Sequence, residues 1–162
     1  MTKTKQPSTP QPNLFVFGAS SALITNLGLI VGLYLMPNAR LNIIGSILVV
    51  ALADNISDSL GIHIYQEAQK FRSSDVWLAT ITNFLTRFFV SAIFIVFFLL
   101  LPLLAAVCWS LIYGLIFLSL ISYRIAQERK VNPWWAIAEH LAIAVVVIVL
   151  SRYAGMFIAA KF

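Results

Sequence analysis

Two aspartates, Asp54 and Asp58, stand four residues apart inside a long apolar stretch of this chain. Residues four apart lie on one face of an α-helix, so their carboxylates are about 6 Å from each other. Two carboxylates that close in a low-dielectric surrounding repel each other, so either one holds a proton or a cation lies between them. Such an oxygen-rich site suits a divalent cation, and the neighbouring Ser57 offers a further oxygen.

A structural interpretation of the same pair remains open. Ionisable residues at bilayer depth cost about 2.5–3.5 kcal/mol each on insertion scales, so they seek partners of opposite charge. Arg87 lies deep in another apolar stretch and is a candidate for a structural ion pair with one of the two aspartates. On this interpretation the other aspartate caps a break in its helix.

The composition indicates that these residues lie in a membrane. Of the 162 residues, 60% are hydrophobic and 10% are charged, whereas soluble domains have about 45–50% apolar and about 25% charged residues. A small soluble fold cannot bury that much apolar surface, which excludes soluble enzymes, nucleic-acid modules and disulfide scaffolds. We therefore predict an all-α, polytopic integral membrane protein.

Five apolar stretches are long enough to cross a bilayer, which takes about 20 helical residues. The predicted spans cover residues 13–36, 41–65, 77–100, 103–123 and 135–160, and together they form one transmembrane domain over 13–162. Pro102 divides the third span from the fourth, because proline disrupts a helix interior. Residues 1–12 are polar and predicted to be a disordered tail.

The basic residues indicate the orientation of the chain. An odd number of spans places the two termini on opposite sides, and cytoplasmic loops are rich in lysine and arginine. With the five predicted spans, Arg40 and Lys161 fall on one side of the membrane. The other side carries most of the basic residues, which are Lys3, Lys5, Lys70, Arg72, Arg124, Arg129 and Lys130. We therefore predict a cytoplasmic amino terminus, and the net charge of +5 needs no nucleic-acid partner to explain it.

The first span adds polar and small residues that could face the aspartates. The amide of Asn26 cannot be satisfied fully within its own helix, so we expect it to meet another polar group or a cavity. Gly18, Gly28 and Gly32 are spaced for close packing against other helices. At the cytoplasmic end of the second span, His63 and Glu67 are one turn apart and could gather cations at an entrance.

Several segments resemble the vacuolar iron transporter family. Residues 18–33, GASSALITNLGLIVGL, resemble the family's first helix, and residues 52–65, LADNISDSLGIHIY, are similar to its second. In the second segment, Asp54, Ser57 and Gly61 fall on matching positions. The basic segment RIAQERKVNPWWAIAEH (124–140) looks like the loop that precedes the family's last helix.

The resemblance implies a two-fold dimer that exports Fe(II) or Mn(II) from the cytoplasm in exchange for protons. It implies a cell (inner) membrane or a vacuole-type membrane, with the metal as cargo and no permanently bound cofactor. The chain departs from the family in three ways. Ser21 replaces an acid of the first helix, Asp58 replaces a methionine, and the link between the second and third spans is too short for the family's cytoplasmic metal-binding insertion.

We therefore predict a homodimeric Fe²⁺ or Mn²⁺ transporter, and not an enzyme. In this hypothesis the metal site consists of Asp54, Asp58, Ser57, Asn26 and Thr25 in both copies. An entrance or proton relay is predicted at His63, Glu67 and Ser21.

Two other functions remain open. One is a non-transporting membrane scaffold or assembly subunit. The other is an enzyme similar to CDP-alcohol phosphatidyltransferases, because Ala39-Arg40 followed by Asp54-x3-Asp58 matches part of their signature. The first aspartate pair of that signature is absent, so a two-metal centre could not assemble.

Overall fold

The computed structural model describes residues 13–161, and every regular element among them is helical. Five helical stretches are long and apolar enough to cross a membrane, which confirms the predicted all-α fold with five spans. The predicted disordered tail, residues 1–12, lies outside the described residues.

Short connections join six α-helices. They are α1 (Asn13–Leu33), α2 (Ala39–Val49), α3 (Asn55–Ala68), α4 (Ser73–Leu100), α5 (Leu103–Glu128) and α6 (Pro133–Lys161). A π-helical turn, Val50–Asp54, joins α2 to α3, and the three pieces together form the continuous second span, Ala39–Ala68.

The helix boundaries differ from the boundaries of the spans predicted from the apolar stretches. α5 continues past residue 123 to Glu128, because backbone hydrogen bonds extend a helix regardless of side-chain polarity. α1 ends at Leu33, and the chain then turns at Asn38, whose φ of 54° lies in the left-handed region that asparagine tolerates. Between α4 and α5 the break falls at Pro102.

Helix α1 occupies the centre of the bundle. It packs against α2, α4, α5 and α6. Half of the residues in its most apolar 18-residue segment are buried, whereas 11% are buried in the corresponding segment of α6. Its buried leucines and isoleucine, Leu23, Leu27 and Ile30, belong to a core that includes Phe94 and Phe98 of α4. The outer helices present apolar faces to their surroundings, as expected for helices that contact lipid.

Glycines set the distance between α1 and α6. A Cβ atom on Gly28 would lie 2.8 Å from Val147 Cγ1 and 2.9 Å from Ser151 Oγ, so a larger residue there would force these side chains of α6 to move. Gly32 and Gly155 face each other at the same contact, and a Cβ on Gly155 would overlap the carbonyl oxygen of Gly32. The predicted close packing at Gly28 and Gly32 is thus confirmed, with α6 as the partner helix.

Candidate functional site

A polar cluster lies at mid-depth in the helical bundle. Asp54 is near the midpoint of the 30-residue second span, and Arg87 is near the midpoint of the 28-residue helix α4. Ser21 occupies the middle of α1. The cluster therefore lies near the middle of these helices along their length.

The guanidinium group of Arg87 binds both aspartates. Its side chain is 1% exposed, its Nη2 atom lies 2.6 Å from Asp54 Oδ2, and its Nη1 atom lies 2.5 Å from Asp58 Oδ2. Nη1 also donates to Ser21 Oγ at 2.7 Å, and Nε donates to Asn55 Oδ1 at 2.7 Å. One buried cation thereby links α1, the second span and α4.

This arrangement corrects the structural interpretation of the pair. That interpretation placed one aspartate on Arg87 and gave the other a helix-capping role. Asp54 directly precedes α3 but makes no capping hydrogen bond with its side chain, because its carboxylate is held by Arg87. The planar fork of arginine offers several donors at fixed angles, so one guanidinium can hold two carboxylates.

Asp54, Arg87 and Asp58 form a charged triad. The triad carries one excess negative charge when all three residues are ionised. The side chains of Asp54 and Asp58 are 46% and 39% exposed, in contrast to the buried Arg87. Arg87 contacts only the Oδ2 atom of each aspartate, and within the described residues no hydrogen bond reaches either Oδ1 atom. Each carboxylate therefore keeps one oxygen for a further partner.

The other predicted metal ligands have different surroundings. Ser57 is exposed beside the triad, and Thr25 is half-buried on α1. Asn26 is fully buried, and its Nδ2 atom donates to the carbonyl of Ala22 at 2.7 Å and to Ser91 Oγ at 2.9 Å, so it joins α1 to α4. Over residues 13–161, no three His, Cys, Asp or Glu side chains of one copy gather into a metal site.

The predicted entrance lies at the end of the second span, between α3 and α4. His63 Nδ1 is 3.0 Å from Thr80 Oγ1, and His63 Nε2 is 3.5 Å from Glu67 Oε1. Because the Thr80 hydroxyl donates to the Val76 carbonyl at 2.8 Å, we assign the hydrogen of this contact to Nδ1 of His63. The Trp77 ring packs edge-on against the imidazole, with 4.7 Å between ring centroids. The pair thus lies beyond the triad, nearer the loop, whereas Ser21 belongs to the triad's own surroundings.

Sequence reasoning missed several polar residues that hold the site. Asn83 donates to Ser59 Oγ at 3.1 Å, and Asn55 bonds to Arg87, so both amides connect α4 to α3. A signal for these contacts is present in α4, where polar residues recur every three or four positions and so follow one helix face. The members of this polar stripe are Thr80, Asn83, Arg87 and Ser91.

Arg40, which belongs to the partial phosphatidyltransferase pattern, has a different environment. It lies in the first turn of the second span, and its guanidinium donates to the carbonyls of Phe98 at 3.1 Å and Leu101 at 2.9 Å, at the end of α4. Carbonyls at a helix end lack intrahelical donors, and a cation there also favours the helix dipole. Arg40 therefore stabilises the junction of α2 with α4, about 20 Å along the helix from Asp54.

Comparison of the chain with protein-family models, with curated proteins and with solved structures finds no match.

Proposed function

We propose that the chain is a homodimeric carrier that exports a divalent transition metal, Fe²⁺ or Mn²⁺, from the cytoplasm. The observation that supports this proposal is the triad: two carboxylates at mid-depth in the membrane that share a single cationic partner and are 39–46% exposed. A carboxylate exposed to hydrocarbon is strongly unfavourable. The exposed side of the pair therefore needs a further cation, a proton or a protein surface.

A second copy of the chain supplies that surface in this proposal. The second span presents small, exposed residues beside the aspartates at a spacing of four, namely Ala53, Ser57 and Gly61. Small residues let helices approach closely in membranes. Two copies related by a two-fold axis bring together two triads with two excess negative charges, which matches the charge of one divalent cation.

The free Oδ1 atoms would hold the metal between the copies. Carboxylate oxygens are hard ligands that suit Mn²⁺ and accept Fe²⁺, and exposed Ser57 hydroxyls could complete the coordination. Metal binding displaces protons from carboxyl groups, so transport would be coupled to protons moving in the opposite direction. The basic loops place the amino terminus in the cytoplasm in this proposal, and His63 with Glu67 at the cytoplasmic entrance.

Metal flux through proteoliposomes tests the proposal. We expect Asp54→Asn and Asp58→Asn each to reduce Mn²⁺ and Fe²⁺ uptake by about tenfold or more, because each removes a ligand charge. Glu139→Gln is the matched control, since Glu139 is an exposed acid on α6 and should transport like the wild type. Equal uptake by the wild type, both aspartate variants and protein-free liposomes would refute transport.

Disulfide trapping tests the dimer. In a Cys108→Ser background, Ser57→Cys should form an intermolecular disulfide on mild oxidation, because residues near a two-fold axis meet their own copies. A disulfide requires Cα atoms within about 7 Å of each other. Leu120→Cys, on an exposed face of α5, is the control and should stay monomeric. Equal trapping at both positions, or at neither, would contradict this interface.

A scaffold or assembly subunit is the second candidate, and the bonding of Arg87 favours it. Both aspartates already have a cationic partner, as expected of an ion cluster that only holds helices together. For a scaffold, Asp54→Asn and Asp58→Asn would change the stability of the protein, while purified wild-type protein would transport neither metal.

A further inference from the structure

Asn55 makes two different bonds with one buried side chain. The residue is 1% exposed and directly follows the π-helical turn. Its Nδ2 atom donates to the carbonyl of Ala51 at 2.9 Å, and its Oδ1 atom accepts from Arg87 Nε at 2.7 Å. The same amide therefore contacts the backbone of the second span and the cation of the triad.

The backbone explains why the first of these bonds is needed. In an α-helix, the N–H of Asn55 would bond to the carbonyl of Ala51, four residues earlier. In the π-helical turn this N–H is directed instead to the carbonyls of Val50 and Leu52. The carbonyl of Ala51 thus loses its usual donor inside the membrane, where an unsatisfied backbone group is costly, and the Asn55 amide replaces that donor.

We propose that Asn55 is a positioning residue, which holds the second span in its π-helical register and thereby fixes Arg87 between Asp54 and Asp58. The inference deepens the proposed function, since it concerns the same triad, but it rests on bonds within one copy and does not require transport. π-helical turns inside α-helices often occur at functional sites.

The two bonds make the π-helical turn and the position of Arg87 interdependent. If the turn became α-helical, the N–H of Asn55 would bond to the Ala51 carbonyl, and the side-chain nitrogen would share this acceptor without being needed to satisfy it. The change of backbone register would also move the Asn55 oxygen relative to Arg87. A π-helical hydrogen bond spans one residue more than an α-helical one. Conversion of the turn to α-helix would therefore shift α2 by one residue relative to α3, which is a rotation of about 100°, because 3.6 residues make one turn. Asp54, at the end of the π-helical turn, would move relative to Asp58.

Two substitutions separate the two bonds. Asn55→Asp keeps an oxygen acceptor for Arg87 but has no donor for the Ala51 carbonyl. Asn55→Ser keeps a donor, because a serine hydroxyl can bond to the carbonyl four residues earlier, but it is too short to replace the contact with Arg87. Asn55→Leu removes both bonds at similar volume. Ser110→Ala is the control, since Ser110 is a fully buried serine of α5 whose hydroxyl has no hydrogen-bond partner among the described residues.

Solid-state NMR of the full chain in liposomes, with labelled arginine and labelled residues 50–54, reports on the Arg87 side chain and on the π-helical turn. The Arg87 signals are identified by their absence in Arg87→Lys. In Asn55→Leu we expect the Arg87 Nε–H signal to lose its downfield shift, and the carbonyl shifts of residues 50–54 to change together with it. Asn55→Asp should change the carbonyl shifts of residues 50–54, because it lacks the donor to the Ala51 carbonyl, whereas Ser110→Ala should leave both sets unchanged.

Three results would overturn the inference. The first is an Asn55→Leu spectrum in which the π-helical turn and Arg87 both keep their wild-type signals. The second is an Asn55→Asp spectrum in which residues 50–54 keep their wild-type carbonyl shifts, which would show that the amide donor of Asn55 does not hold the turn. The third is an Asn55→Ser spectrum in which Arg87 keeps its wild-type shift. Because no readout here is metal flux, a protein that fails to transport can still confirm the role of Asn55.

Discussion

Replacement of Arg87 by leucine is expected to lower the free energy of unfolding by about 3–5 kcal/mol, the usual cost of removing one partner from a buried ion pair. The guanidinium is 1% exposed and holds two carboxylates, a serine hydroxyl and an asparagine amide. Without it, Asp54 and Asp58 would face each other at mid-depth in the membrane with no cation. Unfolding in mixed detergent micelles, followed by circular dichroism, measures the change.

Two further variants make the Arg87 prediction specific. Arg152→Leu is the matched control, because Arg152 is an exposed arginine of α6, and its removal should cost much less. Adding Asp54→Asn and Asp58→Asn to Arg87→Leu should recover a large part of the lost stability, since no uncompensated carboxylate then remains. A single Arg87→Leu variant as stable as the wild type would show that the triad does not stabilise the fold.

Replacement of Gly155 by alanine is expected to be the most damaging of the glycine-to-alanine changes. The new Cβ would overlap the carbonyl oxygen of Gly32 and lie 2.9 Å from its carbonyl carbon and 3.2 Å from its Cα atom. These atoms belong to the backbone of α1, so no side-chain rotation can make room. Overpacking of this kind costs about 1–3 kcal/mol and sometimes more. The thermal unfolding temperature in detergent should fall accordingly.

Gly45 supplies the control for Gly155. A Cβ on Gly45 meets no atom within 4 Å in the described part of the chain. Gly45→Ala should therefore be neutral or stabilising by up to about 1 kcal/mol, the helix-propensity difference between the two residues. Equal effects at the two glycines would mean that α1 and α6 are not in backbone contact.

Much of the fold follows from local features of the sequence. The apolar stretches predict five spans because each stretch alone is long enough to cross the bilayer. The four-residue spacing of Asp54 and Asp58 predicts a shared helix face, and both carboxylates do reach the same guanidinium. These predictions succeed because they depend only on the length of a segment and on the helical repeat.

The π-helical turn could not be predicted in this way. Residues 50–54, VALAD, include no proline or glycine that would mark a break. The irregularity depends on Asn55 and on its bond to Arg87, which lies 32 residues further along the chain. A local pattern does not contain that contact.

The sequence by itself determined that this protein is helical and membrane-spanning and that two acidic side chains share one face at mid-depth. Only the tertiary structure decided that Arg87 lies between them, that Asn55 is held with it, and that a Cβ atom on Gly155 would overlap α1 while one on Gly45 meets open space. The physical reason is that hydropathy and helical periodicity are properties of single segments. The rotation and depth of one helix against another depend on the packing of all the helices together.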